Sequence, residues 1–207
     1  MRRLQRGGRL LRVADSNWED PLDGRDAAER GGRWNPRGSF PVVYLCASLA
    51  VARANVFRTL TGLPYGPEDL ESERGPVLVE AEVPEDPYVD AVTRRGLESL
   101  GLPSTYPRTA SGKPIARRRC QAVGRAAWGA GEPGIACLSG APTVPAGGEE
   151  LAWFGRARRL RAERTEPFER WFWWGESAST RPSDSGGETK LSKEAGATCA
   201  WSTRAIG

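Results

Sequence analysis

The 207-residue chain contains no histidine. That absence removes every Ser-His and Cys-His arrangement for activating a nucleophile, together with the side chain best suited to proton transfer near neutral pH. Any catalysis must run on carboxylate, tyrosine, serine or arginine chemistry. Cysteine is scarce: Cys46, Cys120, Cys137 and Cys199 show no Cys-x-x-Cys spacing, so a zinc site would have to be assembled from scattered thiols and carboxylates, and no metal centre is expected. Cys120 and Cys137 lie among apolar neighbours and read as inert core residues. Long apolar runs are also missing. Nothing approaches the roughly eighteen residues of a membrane span, and Met1–Arg12 carries charge without the apolar stretch of a signal peptide. The expectation is a soluble, cytoplasmic protein without a membrane partner.

Lysine is nearly absent as well. Only Lys113, Lys190 and Lys193 stand among the 30 basic residues, so the net charge of +4 rests on arginine. Such a bias follows from a GC-rich genome, but arginine's fork of donors is also the natural partner of phosphate groups. Composition alone does not choose between the two.

The residues present divide the chain into one domain over 1–174 and a polar tail over 175–207, expected to be disordered because it holds few apolar residues. Leu10–Val13 predicts a first strand, followed by a loop dense in Asp, Arg and Gly. The most unusual segment comes next. In Gly31-Gly32-Arg33-Trp34-Asn35-Pro36-Arg37-Gly38 an arginine and a large aromatic stand between glycines, where backbone can approach a ligand closely. Val42–Cys46 predicts a strand, and Ser48 caps a helix that stops at Gly62 and places Leu49, Ala52, Val56 and Leu60 on one face, with Asn55 on its flank. Pro76–Val83 alternates as a half-buried strand does. Helices are expected over Val89–Leu100 and Ile115–Trp128, the latter burying Cys120, Val123 and Ala127. Strands follow over Gly134–Leu138 and Leu151–Phe154, and Trp171–Trp174 makes the last core contact. These elements compose an α+β domain of about 170 residues on a small, twisted, largely antiparallel sheet flanked by helices.

In content and order, Gly-Gly-Arg-Trp-Asn-Pro-x-Gly, then Val-Val-Tyr-Leu, then Ser-Leu-Ala-x-Ala, and later Gly-Ile-Ala-Cys-Leu-Ser and Glu-Glu-Leu-Ala-Trp-Phe resemble the RES-domain family over about Leu10–Arg161. The resemblance implies an ADP-ribosyltransferase-like fold and cleavage of NAD at the nicotinamide ribose by hydrolysis or phosphorolysis. It also implies a toxin paired with an antitoxin protein, with NAD as substrate and no permanently bound cofactor. By position, the family's motif arginine falls on Arg33, flanked by Gly32, Trp34 and Asn35 as the cofactor-binding segment. Its strand aromatic falls on Tyr44, its late serine on Ser139, and its usual glutamate on Asn55.

Cleaving the nicotinamide–ribose bond develops positive charge on the sugar while the leaving group becomes neutral. Arg33 would anchor the diphosphate, Tyr44 would stack on nicotinamide, Asn55 would contact the ribose and Ser139 would position a phosphate or hydroxyl. An amide at 55 keeps hydrogen bonds but lacks the charge. Glu29, Glu68 and Asp69 are candidate substitutes, and restoring an acid at 55 is expected to raise turnover.

Each residue also has an ordinary reading: Trp34 as core, Tyr44 as a buried strand tyrosine, Ser139 as a turn serine, Arg33 as half of a structural ion pair. The run Arg156, Arg158, Arg159, Arg161, Arg164, with Glu163 and Glu166 beside it, reads as a solvated strand or loop rather than a nucleic-acid groove. Two further readings stay open: a non-catalytic descendant that binds a nucleotide or a protein partner, and a basic nucleic-acid-binding module.

Overall fold

Three long or β-branched stretches dictate the frame of the computed structural model, which describes residues 1–156 and 159–174. Strand β1 (Arg3–Ala14) and strand β3 (Val77–Ala91) pair antiparallel along their whole lengths, from Arg3 opposite Val89 to Ala14 opposite Val77. Strand β2 (Val43–Cys46) follows the helix α1 (Arg25–Arg30) and the Gly31–Gly38 loop. Strands β4 (Gly134–Leu138) and β5 (Glu149–Trp153) complete the set, and a short strand β6 (Ala162–Glu166) lies on the outer edge of β3. The order β1-β2-β5-β4-β3, with β3 returning to β1, closes a five-stranded barrel. All of its pairings are antiparallel except β3 with β4. The largely antiparallel sheet is as expected; its closure is the added fact.

Side chains alternate across the strands and thereby build three apolar clusters. Val43, Leu45, Val79, Ala81, Val83, Leu151 and Trp153 pack together as one. A second packs Val42, Ile135, Cys137, Ala152 and Phe154 against helix α4 (Arg117–Gly129). In the third, helix α2 (Leu49–Leu60) and helix α5 (Phe168–Trp174) cover Val13, Cys46 and Leu78. Helix α2 starts where expected, since the Ser48 side chain accepts from the Val51 N–H, and Gly62 beyond its end takes φ +82°. Ala52, Val56 and Leu60 are buried, with Leu49 partly so.

Several boundaries differ from the periodicity. β1 begins at Arg3 rather than Leu10, because pairing with β3 carries charged residues into the strand on both sides of a register shift between Arg6 and Gly8. β3 does not stop at Val83 but continues through Pro84 and Pro87 to Ala91, so the predicted helix over Val89–Leu100 is corrected. Val89–Ala91 pair in parallel with Ile135–Cys137, and a shorter helix α3 (Arg94–Ser99) follows. The physical reason is local: Asp90 accepts from the Val92 and Thr93 N–H groups, and Thr93 then caps Gly96, which ends the strand and starts the helix. Helix α1 and strand β6 were not legible: α1 buries only Ala27, and β6 is mostly exposed and charged. In α4, Cys120 and Ala127 are buried as expected, with Gly124 in place of Val123. Trp171 and Phe172 end in the core while Trp173 and Trp174 are exposed. The expected disordered tail and Arg158 lie outside the described residues, among which no helix is long and apolar enough to cross a membrane.

Candidate active site

The site begins with a loop held from behind. Asn35 is fully buried, its amide donating to the Ala27 and Phe40 carbonyls while its oxygen accepts from the Tyr44 hydroxyl at 2.8 Å. Tyr44 in turn accepts from the Trp34 N–H at 2.9 Å. The Trp34 indole is fully buried and donates to Cys137 Sγ at 3.2 Å. Gly32 donates its N–H to the Asn35 carbonyl and accepts, through its own carbonyl, from Gln121 on α4 at 3.0 Å. Helix α4 comes close enough only because residue 124 is glycine: a Cβ there would collide with the Trp34 carbonyl. Gly32, Trp34 and Asn35 therefore stand behind the site and shape the loop. None of them lines the cleft.

Arg33, between them, does reach it. Its guanidinium lies against Gly140, where any side chain would clash with it. The cleft is lined by Val13, Arg33, Tyr44, Leu45, Cys46, Asn55, Arg58, Gly140 and Glu150 and is narrow, with a cavity volume of about 20 Å³. Tyr44 presents its ring, since its hydroxyl is engaged in the loop.

Asn55, buried on α2, joins the charged groups. Its Nδ2 donates to Glu150 Oε1 at 2.8 Å and to Cys46 Sγ at 3.4 Å, and its Oδ1 accepts from Arg58 at 3.2 Å. This orientation is the only one that satisfies both neighbours, because a carboxylate can only accept and a guanidinium can only donate. Ser139 Oγ donates to the same Glu150 oxygen at 2.7 Å, and its own N–H is fixed by the Gly148 carbonyl. The structure thus brings Arg33, Tyr44 and Asn55 to one cleft, with Ser139 touching it through Glu150.

Glu150 and Arg58 went unnoticed in the sequence. Glu150 stands opposite Cys46 on β2 and Cys137 on β4, a register that only strand pairing reveals. Arg58 follows Asn55 by three residues, the helical spacing that puts both on one face. The three acids considered as substitutes lie elsewhere. Glu29 lines a separate pocket with Asp20, Asp23 and Asp26, while Glu68 and Asp69 form a 3₁₀ turn in which Asp69 caps the Gly66 N–H.

Among the described residues no ion pair joins Arg33 or Arg58 to a carboxylate. Burial pulls the Arg58 pKa down, with the positive charges of Arg33 and Arg117 acting the same way and Glu150 opposing them. For Arg33 burial also acts downward, but the pKa is raised overall, with Glu150 among the groups that favour the charged form. Both stay cationic at neutral pH. Burial raises the thiol pKa of Cys46, to about 12, and that of Cys137 as well, so neither is a nucleophile. The cleft combines two guanidiniums able to take anionic oxygens, an aromatic ring, an amide, a hydroxyl and one carboxylate.

Comparison with known proteins gives three findings. Residues 9–175 match the RES domain family. Proteins named NAD(+) phosphorylase MbcT, from Mycobacterium bovis and Mycobacterium tuberculosis, are 33% identical over 111 residues; the match covers 53% of this chain and 55% of theirs, so the alignment spans about half the length of these curated relatives. A chain in the crystal structure of the M. tuberculosis MbcT–MbcA toxin–antitoxin complex superposes with a TM-score of 0.66, at 24% identity, over 82% of this chain and 91% of that one, a likeness of fold.

Proposed function

Because the chain belongs to the RES-domain family, we propose that its cleft binds NAD and cleaves the bond between nicotinamide and ribose, within an ADP-ribosyltransferase-like fold. The observation that carries this reading is the convergence of Arg33, Arg58, the Tyr44 ring, Asn55 and Glu150 in a single cleft. Two guanidiniums against one carboxylate leave a positive surplus for the NAD diphosphate, in a site whose one acid, Glu150, would lie beside the sugar. Arg33 anchors the diphosphate, Tyr44 stacks on nicotinamide, Asn55 contacts the ribose and Ser139 holds the polar network in place.

In the reaction the C1′–N bond breaks and its electron pair leaves with nicotinamide, which becomes neutral. An oxygen of water or of inorganic phosphate then bonds to C1′, and with water one proton passes to solvent. The surplus positive charge also suits an anionic acceptor, and partial relatives named NAD(+) phosphorylase support phosphate in that role. The toxin–antitoxin complex among its structural neighbours supports a second part of the proposal, that the chain acts as a toxin restrained by a protein antitoxin.

The test is nicotinamide release by the purified protein with and without phosphate, beside Arg33→Ala and a calorimetric NAD titration. Arg33-dependent release supports the reading, and phosphate dependence identifies the acceptor. Binding without release would instead mark a non-catalytic nucleotide-binding descendant. Absence of both binding and release would reject the assignment.

A further inference from the structure

The position where the family's glutamate falls holds an amide here, yet the cleft is not without a carboxylate. Resting on the reading above, we infer that Glu150 is the catalytic carboxylate of this protein, supplied from strand β5 rather than from helix α2, with Asn55 as the residue that positions it.

The geometry makes the two locations nearly equivalent. Asn55 Nδ2 lies 2.8 Å from Glu150 Oε1, so the negative charge sits about one hydrogen bond from where an acid at 55 would carry it. Asn55 and Ser139 both donate to Oε1, which fixes the side chain and leaves Oε2 as the oxygen available to a ligand. Arg58 bonds the Asn55 oxygen rather than the carboxylate, so the amide stands between the two charges and Glu150 is not consumed in an ion pair. Cys46 and Cys137, its cross-strand neighbours, are buried neutral thiols that offer no competing charge. Glu29, Glu68 and Asp69 are placed elsewhere, which leaves Glu150 as the acid lining this cleft.

Glu150 supports the reaction electrostatically. As the C1′–N pair departs with nicotinamide, the ribose acquires positive charge beside the carboxylate, and bonding of the acceptor oxygen to C1′ discharges it. No bond to Glu150 forms and no oxidant or reductant is involved. A unit charge near 4 Å from the developing cation at an intermediate dielectric changes the rate by about a hundred- to a thousandfold. The same contact reverses the expectation for position 55: Asn55→Glu alone sets two carboxylates at hydrogen-bond distance, where they repel or share a proton, so it yields no gain.

The test compares wild type, Glu150→Gln, Asn55→Glu and the double variant Asn55→Glu/Glu150→Gln by nicotinamide release and by NAD titration calorimetry. Glu150→Gln is expected to lower kcat by about a hundredfold or more while NAD affinity stays within about threefold, since the lost charge acts in the transition state. The double variant, which returns the acid to α2 and the amide to β5, is expected to regain at least about tenfold over Glu150→Gln. Wild-type release with Glu150→Gln equally active overturns this inference and leaves the NAD reading standing. A wild type that releases nothing overturns both. If Glu150→Gln does not fold, the double variant decides: folded and active supports Glu150, folded and inactive rejects it.

Discussion

Asn35 and Asn55 are both buried asparagines, and they belong to two regions that burial alone does not distinguish. Asn35 sits in the Gly31–Gly38 loop and spends its donors on the Ala27 and Phe40 carbonyls and its acceptor on the Tyr44 hydroxyl, all neutral partners within the fold. Asn55 sits at the cleft between a carboxylate and a guanidinium. The first is a closed account that rigidifies a loop; the second holds charges apart where a ligand can use them. What separates structural from functional polarity is the charge and accessibility of the partners.

The sharpest way to break this comparison is through the loop core. Trp34→Ala should lower unfolding free energy by about 3–5 kcal/mol through the cavity it leaves, read by denaturant titration. A loss under about 1 kcal/mol would mean the loop is not the rigid backing described. Asn35→Ala should follow at about 3 kcal/mol, since two carbonyls and the Tyr44 hydroxyl lose a partner, with activity falling in proportion to the folded fraction. Asn55→Ala should differ in activity: stability falls by about 2 kcal/mol, and kcat per folded molecule also falls about tenfold as Glu150 loses its hold. Equal effects of the two alanine variants on stability and on per-molecule activity would erase the distinction.

A smaller effect comes from Cys46, which touches Asn55. Its thiol is pushed up to about 12 by burial, next to the Glu150 charge, so the native protein should resist iodoacetamide at this residue at pH 8, checked by peptide mass spectrometry. The sign of its linkage follows. Above the unfolded value of 9.0 the unfolded thiol sheds its proton and the folded one keeps it, so stability falls as pH rises from about 9 towards about 12, by about 1.4 kcal/mol per unit from this group. Cys46→Ala should remove that share of the alkaline slope.

Much of the frame was legible because it is local. Ser48 capping α2, the apolar run of β2, the alternation opening β3 and the Cys120/Ala127 face of α4 are set by spacings of a few residues. Pro84 and Pro87 hid the second half of β3, since their strand character depends on the bulged partner β1 and not on their own preference. At the site, Arg33 could be named from its glycine setting, whereas Tyr44 and Asn55 could be named only through the resemblance to the RES-domain family. Trp34 and Asn35 share the same segment yet face inward, which adjacency cannot reveal.

By itself, the sequence determined which chemistry was possible. A chain without histidine, holding arginine between glycines before a strand and a capped helix, can bind anionic oxygens and must act through carboxylate, tyrosine, serine or arginine groups. Only the tertiary structure decided which carboxylate stands in the cleft. Asn55 and Glu150 are 95 residues apart and meet because β2 and β5 pair Cys46 with Glu150 while α2 packs over the barrel. Strand register and barrel closure are long-range contacts. The local pattern of hydrophobicity fixes which face of a strand is buried but not which partner lies across from it.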